Sequence, residues 1–425
     1  MKNYRILRLA NACHYPGVER QYLTRINPNW LSQSYLEQKA IWDAQFYVYG
    51  DSLSYWMKRR GNEAMDIVVD SISLQSSWAR ERNIDISTDT WRLDTILAQI
   101  GMYKPDVLYL QDIHAIPANV RKDLKIIFPF IKVIVIFRGY PGGNLSYLAN
   151  FCDADLLLVG APQLVDKFSQ LGSEAHLVYH SFDHRINRFL GKVPDENKIP
   201  FSFIGTLGFG SPEHQERANL LNMISTASDL TVYSDDPWRN VSGKIRTVEV
   251  IGGVASGLIR YPLVKKVGRQ LLKYKHLFPR NVKSYVKKMI SRGNVVSSHL
   301  RFGTAIFPGV HGLSMYQALA SSKITFNVHS NAGRGAVENM RMFQATGVGS
   351  CLLTDWGKNI TDLFEPDKEV VCYKTPEECI DKLRQLQSND KLCAEIAKNG
   401  QLRVQRDHTT EKRVEQIHAL IAGKL

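Results

Sequence analysis

The sequence has no apolar run long enough to cross a membrane. Its most apolar stretch reads IIFPFIKVIVIF and is interrupted by a proline and a lysine, whereas a membrane-spanning helix needs about 20 predominantly apolar residues. The first residues, MKNYRILRLANACHYPG, include basic residues but no apolar core of the kind found in secretory signal peptides. We therefore expect a soluble, cytoplasmic protein.

Cysteine is scarce, with six residues in a chain of 425. None of the six has CxxC spacing and most have apolar neighbours, so buried thiols are expected rather than zinc ligands or a disulfide framework. Low-complexity tracts and internal repeats are also absent, and the hydrophobic content of 44% and charged content of 22% are typical of globular proteins. A chain of this length predicts two domains, each with its own core.

Acidic residues are missing from one long segment, 250–337, which contains 14 of the 54 lysines and arginines. The rest of the chain carries 40 basic and 41 acidic residues, so the net charge of +13 belongs to this segment. Its part 257–293 mixes Lys and Arg with apolar residues. This pattern predicts either contact with an anionic membrane at the inner face of the plasma membrane or a helical insertion with a solvated basic face. No nucleic-acid-binding motif accompanies the charge, so we do not expect nucleic acid as a partner.

Short apolar segments alternate with helical patterns in both halves of the chain. Strands are predicted at 5–10 and 66–69, in PDVLYLQ, KVIVIF, ADLLLVG and HLVYH, and in FSFIG of the second half. This alternation is typical of an α/β protein with parallel sheets. We predict a Rossmann-like domain at 1–195, a second at 196–408 with a basic helical insertion at about 250–300, and a C-terminal helix at 409–425.

The clearest motif lies at 321–356 and predicts a ligand-binding βαβ unit. Ile324, Phe326 and Val328 alternate with polar residues, and glycine interrupts the pattern at 331–335. Apolar residues then recur at helical spacing from Val337 until glycines end the helix, and a second apolar strand follows. A loop of small residues leading into a helix leaves backbone N–H groups unpaired, which suits a phosphate or diphosphate.

The same region carries a family resemblance. The runs ENMRMFQATGVGSCLLTDW, NITDLFEPDKEVVCYKTPEECIDKLRQL and AKNGQLRVQRDHTTEKRV resemble the C-terminal half of CgeB-like, group-1-type bacterial glycosyltransferases. The upstream runs HGLSMYQALASSKITFNVH and FSFIGTLGFGSPEHQERANLL resemble the family more weakly. The resemblance implies the GT-B architecture, in which the second domain binds a nucleotide-diphosphate sugar and the first binds the acceptor.

The implied activity is transfer of a sugar to a hydroxyl group of a glycan or lipid-linked acceptor, in the synthesis of a bacterial surface glycan or polysaccharide. Two alternatives remain. One is a GT-B transferase of a phosphopolyol such as glycerol phosphate, and the other is a degenerate transferase that acts as a binding or scaffold protein. Because related sequences usually have Glu where this chain has Gln344, and that carboxylate accepts hydrogen bonds from the donor ribose, the substitution keeps the degenerate alternative open.

Ten residues are predicted to bind the donor, some from the motif and others from the resemblance. A guanidinium at Arg341 suits the charge that develops on a leaving diphosphate, although an ion pair with Glu338 is an equal alternative. Asn339 and Tyr316 match family positions, and His329 and Asn331 flank the loop. The set is Gly205, Tyr316, His329, Asn331, Glu338, Asn339, Arg341, Gln344, Thr354 and Asp355.

A catalytic base is harder to identify from the sequence. Asp112 and His114 follow a predicted strand on the side where parallel sheets bind ligands, and His14 follows the first strand. Structural roles are the alternative for each of them. Asp153 and Asp155 spell a DxD motif but lead directly into an apolar strand, so we predict no metal ion and no other cofactor.

Overall fold

The computed structural model describes residues 3–11, 18–47, 50–87, 89–208, 212–235, 306–333 and 335–425. His14 lies outside these residues. The segment 257–293 and the predicted helical insertion at about 250–300 also lie outside them. The insertion and its contact with an anionic membrane therefore stay predictions.

The first domain is built on a sheet of six parallel strands in the order β2-β1-β3-β4-β5-β6. These strands are β1 (Arg5–Ala10), β2 (Glu63–Val68), β3 (Val107–Leu110), β4 (Val133–Arg138), β5 (Leu156–Val159) and β6 (Ala175–Leu177). Its helices are α1 (Val18–Ile26), α2 (Tyr35–Ala44), α3 (Ser52–Arg59), α4 (Ile72–Arg80), α5 (Trp91–Tyr103), α6 (Ala118–Lys122), α7 (Leu124–Ile127), α8 (Leu145–Leu148) and α9 (Pro162–Gln170). All residues of β3 and β5 are buried, as expected for parallel strands covered on both faces.

The second domain contains another six-stranded parallel sheet, in the order β12-β11-β10-β7-β8-β9. Its strands are β7 (Ile199–Ile204), β8 (Thr231–Tyr233), β9 (Ile306–Phe307), β10 (Ser322–Asn327), β11 (Cys351–Asp355) and β12 (Val371–Tyr373). The helices that follow β7 in the described residues are α10 (Gln215–Ala227), α11 (Gly312–Ala320), α12 (Met340–Gly347), α13 (Ile360–Leu363), α14 (Pro376–Ser388), α15 (Asp390–Asp407) and α16 (Thr410–Ala422). The prediction of two parallel-sheet α/β domains is confirmed.

The βαβ unit of the second domain differs from the prediction in where its helix begins. Helix α12 starts at Met340 because the Asn339 side chain caps it, accepting a hydrogen bond from the Met342 backbone N–H at 3.3 Å. Val337 and Glu338 therefore precede the helix. The apolar spacing continues through the loop, so periodicity alone extends the helix too far toward the N-terminus.

The chain crosses between the domains twice, and the two crossings lie side by side. The Phe182 backbone N–H donates to the His408 carbonyl at 3.0 Å, and the Thr410 N–H donates to the Phe182 carbonyl at 2.9 Å. A β-carbon at Gly347 would lie 2.4 Å from the Phe182 ring, so only glycine allows α12 to approach this crossing. Helix α16 then packs in the core of the first domain. The domain boundaries at 195/196 and 408/409 stay predictions.

Candidate active site

The ends of β10 and β11 bring several of the predicted donor-binding residues together. The Asn327 side-chain amide donates to Thr354 Oγ1 at 2.9 Å, and the Asn339 amide donates to Asn327 Oδ1 at 2.9 Å. The side chains of Asn339 and Thr354 are thus engaged with neighbouring residues. Their hydrogen bonds hold the start of α12 against the ends of the two strands, where open parallel sheets bind their ligands.

His329 and Asp355 form a buried pair at this edge of the sheet. The imidazole Nδ1 lies 2.7 Å from Asp355 Oδ1, and the His329 backbone N–H donates to both carboxylate oxygens at 3.1 Å. Burial opposes charge on the imidazole, but the Asp355 carboxylate outweighs it and raises the pKa of His329. The Nε2 atom is buried and has no hydrogen-bond partner, so a proton carried there would be free to bind a ligand.

Glu338 is the second buried group of the site, with 4% of its surface exposed. Its Oε2 atom has no partner, and burial raises the pKa of the carboxyl to about 7. A β-carbon at Gly333 would lie 2.9 Å from this oxygen. The glycine in the loop therefore makes room for a carboxyl group that is close to half protonated at neutral pH.

Arg341 is not paired with Glu338, which excludes the alternative ion pair. One of its guanidinium N–H groups donates to Gln344 Oε1 at 2.8 Å and lies 3.0 Å from Met315 Sδ. Burial lowers the pKa of the guanidinium to about 10. No carboxylate of the described residues forms an ion pair with Arg341, so an anionic ligand would supply the charge that its surroundings lack.

Gln344 stands between Arg341 and the buried Tyr316. Its side chain is 6% exposed, and its Nε2 lies 3.4 Å from the Tyr316 hydroxyl, which is a long hydrogen bond. Burial raises the pKa of Tyr316 to about 12, so the hydroxyl is neutral. Gln344 therefore binds two protein groups and leaves the cation of Arg341 uncompensated, whereas a glutamate would neutralise it.

Arg217, on α10, is a site residue that no sequence motif indicates. Its guanidinium donates to the Thr206 carbonyl at 3.1 Å, to Thr206 Oγ1 at 3.0 Å and to the Val328 carbonyl at 3.0 Å. It thereby joins the loop that begins with Gly205 to the end of β10. Its positive charge opposes protonation of both His329 and Arg341. A single arginine in a helix carries no sequence signal of this kind; only the fold shows its position.

Asn331 lies in a short 3-10 turn of the same loop region.

The two described candidates for the catalytic base lie together in the first domain. Asp112 forms an ion pair with Arg92 and also accepts a hydrogen bond from the His114 backbone N–H at 2.9 Å. His114 is exposed, and its Nε2 lies 3.1 Å from the Tyr147 hydroxyl. Both oxygens of Asp112 are thus engaged, which leaves the imidazole of His114 as the more accessible proton acceptor.

The two domains meet beside these residues. The hydroxyl of Tyr140, in the loop after β4, donates to Glu213 Oε2 at 2.6 Å. The Ser330 side chain, next to His329, is a second polar neighbour of that hydroxyl. The C-terminal edges of the two sheets therefore face each other across a cleft, with the imidazoles of His329 and His114 on opposite sides.

Two kinds of feature are absent from the described ranges. No helix there is long and apolar enough to cross a membrane. Within the same ranges, no three His, Cys, Asp or Glu side chains come together as ligands for a metal ion. The absence of a metal requirement stays a prediction.

Comparison with known proteins agrees with this architecture. Residues 286–419, which include β10, α12 and β11, match a family model described as glycosyl transferase-like. A search among curated proteins gives no significant match.

Solved structures match over nearly the whole chain. HepE of Anabaena in complex with UDP-glucose has a TM-score of 0.58 at 12% identity and covers 99% of this chain and 100% of its own. A glycosyltransferase from Rickettsia africae has a TM-score of 0.54 at 11% identity over 100% and 99%. An alpha-glucosyltransferase in complex with UDP-glucose and DNA has a TM-score of 0.54 at 9% identity over 99% and 100%. At these identities the similarity establishes the fold, and the two domains have the GT-B architecture.

Proposed function

We propose that the protein is a glycosyltransferase that moves a sugar from a nucleotide-diphosphate donor to a hydroxyl group of an acceptor. The observation that carries the proposal is Arg341, a partly buried cation at the start of α12 that has no carboxylate partner among the described residues and lies near Arg217, which in turn lies near His329. The diphosphate of a donor would supply the missing negative charge. The match of 286–419 to a glycosyl transferase-like model and the UDP-glucose complexes of similar folds support the same ligand class.

Each group has a role in this reaction. As the bond to the sugar breaks, negative charge grows on the leaving diphosphate, and Arg341 and the imidazolium of His329 stabilise it. Asp355 keeps His329 protonated for this task. Glu338, with its free oxygen, binds a hydroxyl group of the donor sugar. In the first domain His114 accepts the proton of the attacking hydroxyl, if the reaction inverts the sugar.

The wider setting is part of the proposal. We assign the chain to the CgeB-like subfamily on its ENMRMFQATGVG run, and its reaction to bacterial surface glycan or polysaccharide synthesis in the cytoplasm. The acceptor is a glycan or a lipid-linked hydroxyl compound. The basic segment 257–293 would hold the protein at anionic membrane, and the reaction would need no metal ion.

Thermal unfolding with UDP, GDP, CDP, dTDP and ADP tests the proposal. A nucleotide at a hundred times its dissociation constant stabilises the native state by about 2.7 kcal/mol. We expect a clear rise in Tm with one nucleotide, lost in Arg341→Gln and retained in Arg384→Gln, an arginine of α14 that is 65% exposed. The matching nucleotide sugar should then release its nucleoside diphosphate when incubated with the wild-type protein, with water or an added hydroxyl compound accepting the sugar.

Three results would contradict the proposal. If no nucleotide raises the Tm, the donor site is not functional. If a nucleotide binds but its sugar is never released, the chain is a degenerate transferase that binds the ligand without turnover, which Gln344 would explain. If CDP-glycerol is consumed and no nucleotide sugar competes with it, the protein transfers a phosphopolyol.

A further inference from the structure

A second cation without a carboxylate partner lies in the first domain, where β4 ends. The guanidinium carbon of Arg138 lies 5.3 Å from the centroids of the Tyr140 and Tyr147 rings and 5.5 Å from that of Phe151. One N–H donates to the Gly142 carbonyl at 2.8 Å, while Nε is buried without a hydrogen-bond partner. Among the described residues no carboxylate forms an ion pair with this guanidinium. Aromatic faces stabilise a cation only partly, so Arg138 retains the capacity to bind an anion.

Helix α9 follows β5, whose last residue, Val159, pairs with Arg138 in the sheet, and the first turn of α9 carries unsatisfied polar groups. Lys167 Nζ donates to the Pro141 carbonyl at 3.0 Å, which fixes one face of α9 against the loop that follows Arg138. Gln163 lies one helical turn earlier on the same face. Both polar atoms of its carboxamide are buried and have no partner. Buried amides are nearly always hydrogen-bonded, so an empty pair of this kind beside a cleft indicates a polar ligand.

These groups are next to the proposed reacting centre. Tyr147, which covers Arg138, contacts the imidazole of His114 through its hydroxyl at 3.1 Å. Tyr140, on another side of Arg138, reaches across the cleft to Glu213, and Ser330 beside it directly precedes the loop of the donor site. A molecule bound at Arg138 would therefore present its hydroxyl groups between the two domains.

We propose that Arg138 and Gln163 form an acceptor subsite that selects a sugar carrying an anionic group, either a carboxylate or a phosphate. The guanidinium binds the anion, for which its planar fork of N–H donors is suited. The Gln163 carboxamide bonds to sugar hydroxyls, and the Tyr147 ring lies against the sugar. This inference rests on the proposed function and specifies the class of acceptor.

Ligand-observed NMR titration of the full chain tests this subsite with three sugars that differ in charge. They are glucose 1-phosphate, the methyl glycoside of glucuronic acid, and methyl glucoside as the neutral reference. We expect at least one charged sugar to bind about tenfold or more tightly than methyl glucoside, since a charge-assisted hydrogen bond adds roughly 1.5 kcal/mol or more. Which charged sugar binds distinguishes phosphate from carboxylate.

Variants show whether the preference comes from Arg138. Arg138→Gln should bind all three sugars alike, Arg138→Lys should keep part of the preference, and Lys122→Gln, an exposed position of α6, should match the wild type. If Arg138→Gln does not fold, a displacement experiment on the wild-type protein takes the place of this variant. In that experiment, inorganic phosphate should displace the charged sugars and leave methyl glucoside bound.

Equal binding of the three sugars by the wild type would overturn the inference, as would a preference that Arg138→Gln retains. The nucleotide-dependent rise in Tm keeps the two proposals separate. A protein that binds its nucleotide but does not prefer charged sugars has the donor site without this subsite. A protein that prefers charged sugars and binds no nucleotide contradicts the proposed function alone.

Discussion

The imidazole Nδ1 of His329 lies 2.7 Å from Oδ1 of Asp355, and the same carboxylate accepts the His329 backbone N–H. Both the orientation and the charge of the ring thus depend on one neighbour in the adjacent strand. Because the remaining nitrogen is buried without a partner, any ligand that enters the site meets the proton that Asp355 retains on the ring. Ligand binding should therefore depend on Asp355 and on pH.

Replacing Asp355 by Asn should weaken binding of the preferred nucleoside diphosphate about tenfold at pH 7, the loss expected for one charge-assisted hydrogen bond. In the wild type, Asp355 raises the pKa of His329, so affinity falls as pH rises through that pKa. The variant should lose affinity at lower pH. Calorimetric titration between pH 5.5 and 8.5 measures both curves, and Asp362→Asn, at an exposed position of α13, is the control. Identical pH profiles for the wild type and Asp355→Asn would show that Asp355 does not set the charge of the His329 ring.

Glu338→Gln should make stability less dependent on pH. Burial raises the pKa of this carboxyl from 4.5 to about 7, so its contribution to stability is complete below pH 4.5 and is lost as pH rises through 7. The loss is on the order of 3 kcal/mol, from 1.36 kcal/mol per unit of pKa. We expect the wild type to lose more stability than Glu338→Gln between pH 5 and 8.5 in urea denaturation. Glu395→Gln, at an exposed position of α15, should lose as much stability as the wild type. If stability falls equally with pH in all three proteins, Glu338 does not cause the loss.

Gln344→Glu should lower nucleotide affinity and the rate of donor cleavage several-fold. The new carboxylate would pair with Arg341, whose N–H already lies 2.8 Å from the side-chain oxygen, and would supply the negative charge that the diphosphate otherwise brings. Steady-state release of the nucleoside diphosphate measures kcat and KM, with Gln385→Glu on α14 as the control. Higher activity would show that a contact between the new carboxylate and the donor ribose matters more than the uncompensated charge of Arg341.

His408 should make the protein unstable in mild acid. Burial lowers its pKa from 6.5 to about 4, and the neutral ring donates to the Leu363 carbonyl at 2.7 Å and accepts from Arg413 at 2.8 Å. This stabilisation is complete above pH 6.5 and is lost as pH falls toward 4, by about 3 kcal/mol.

The matched variant is His408→Gln, which should be less stable than the wild type at pH 7 but lose less stability between pH 6.5 and 4. The control is His176→Gln, whose side chain in the first domain is 27% exposed. Thermal unfolding across this pH range measures the difference. Equal losses in the wild type and His408→Gln would assign the acid sensitivity to other groups.

Much of the fold was predictable because its signals are local. The strand Val107–Leu110 is a continuous apolar run, and the unit around Ser322–Asn327 alternates with period two before glycine breaks it. Even so, the pattern predicts too early a start for α12, because the apolar spacing before Met340 continues a helical periodicity that the Asn339 cap interrupts.

The candidate site was predictable only in part. The sequence placed His329, Asp355 and Arg341 near one ligand, but it could not show that the first two form a pair or that Gln344 binds the third. Arg217 had no signal at all. In the first domain, the sequence makes Asp112 as suitable a base as His114. Only the structure shows that Asp112 forms an ion pair with Arg92, 20 residues away in the chain.

The sequence by itself determined the alternation of strands and helices, the glycine-bearing loop of the second domain, and the uneven distribution of charge. Each of these depends on residues that are close together in the chain. Only the tertiary structure decided which polar groups are paired, which are buried without a partner, and which face each other across the cleft. Those properties depend on distances between remote residues and on the removal of water from around them, and neither is encoded in any single stretch of sequence.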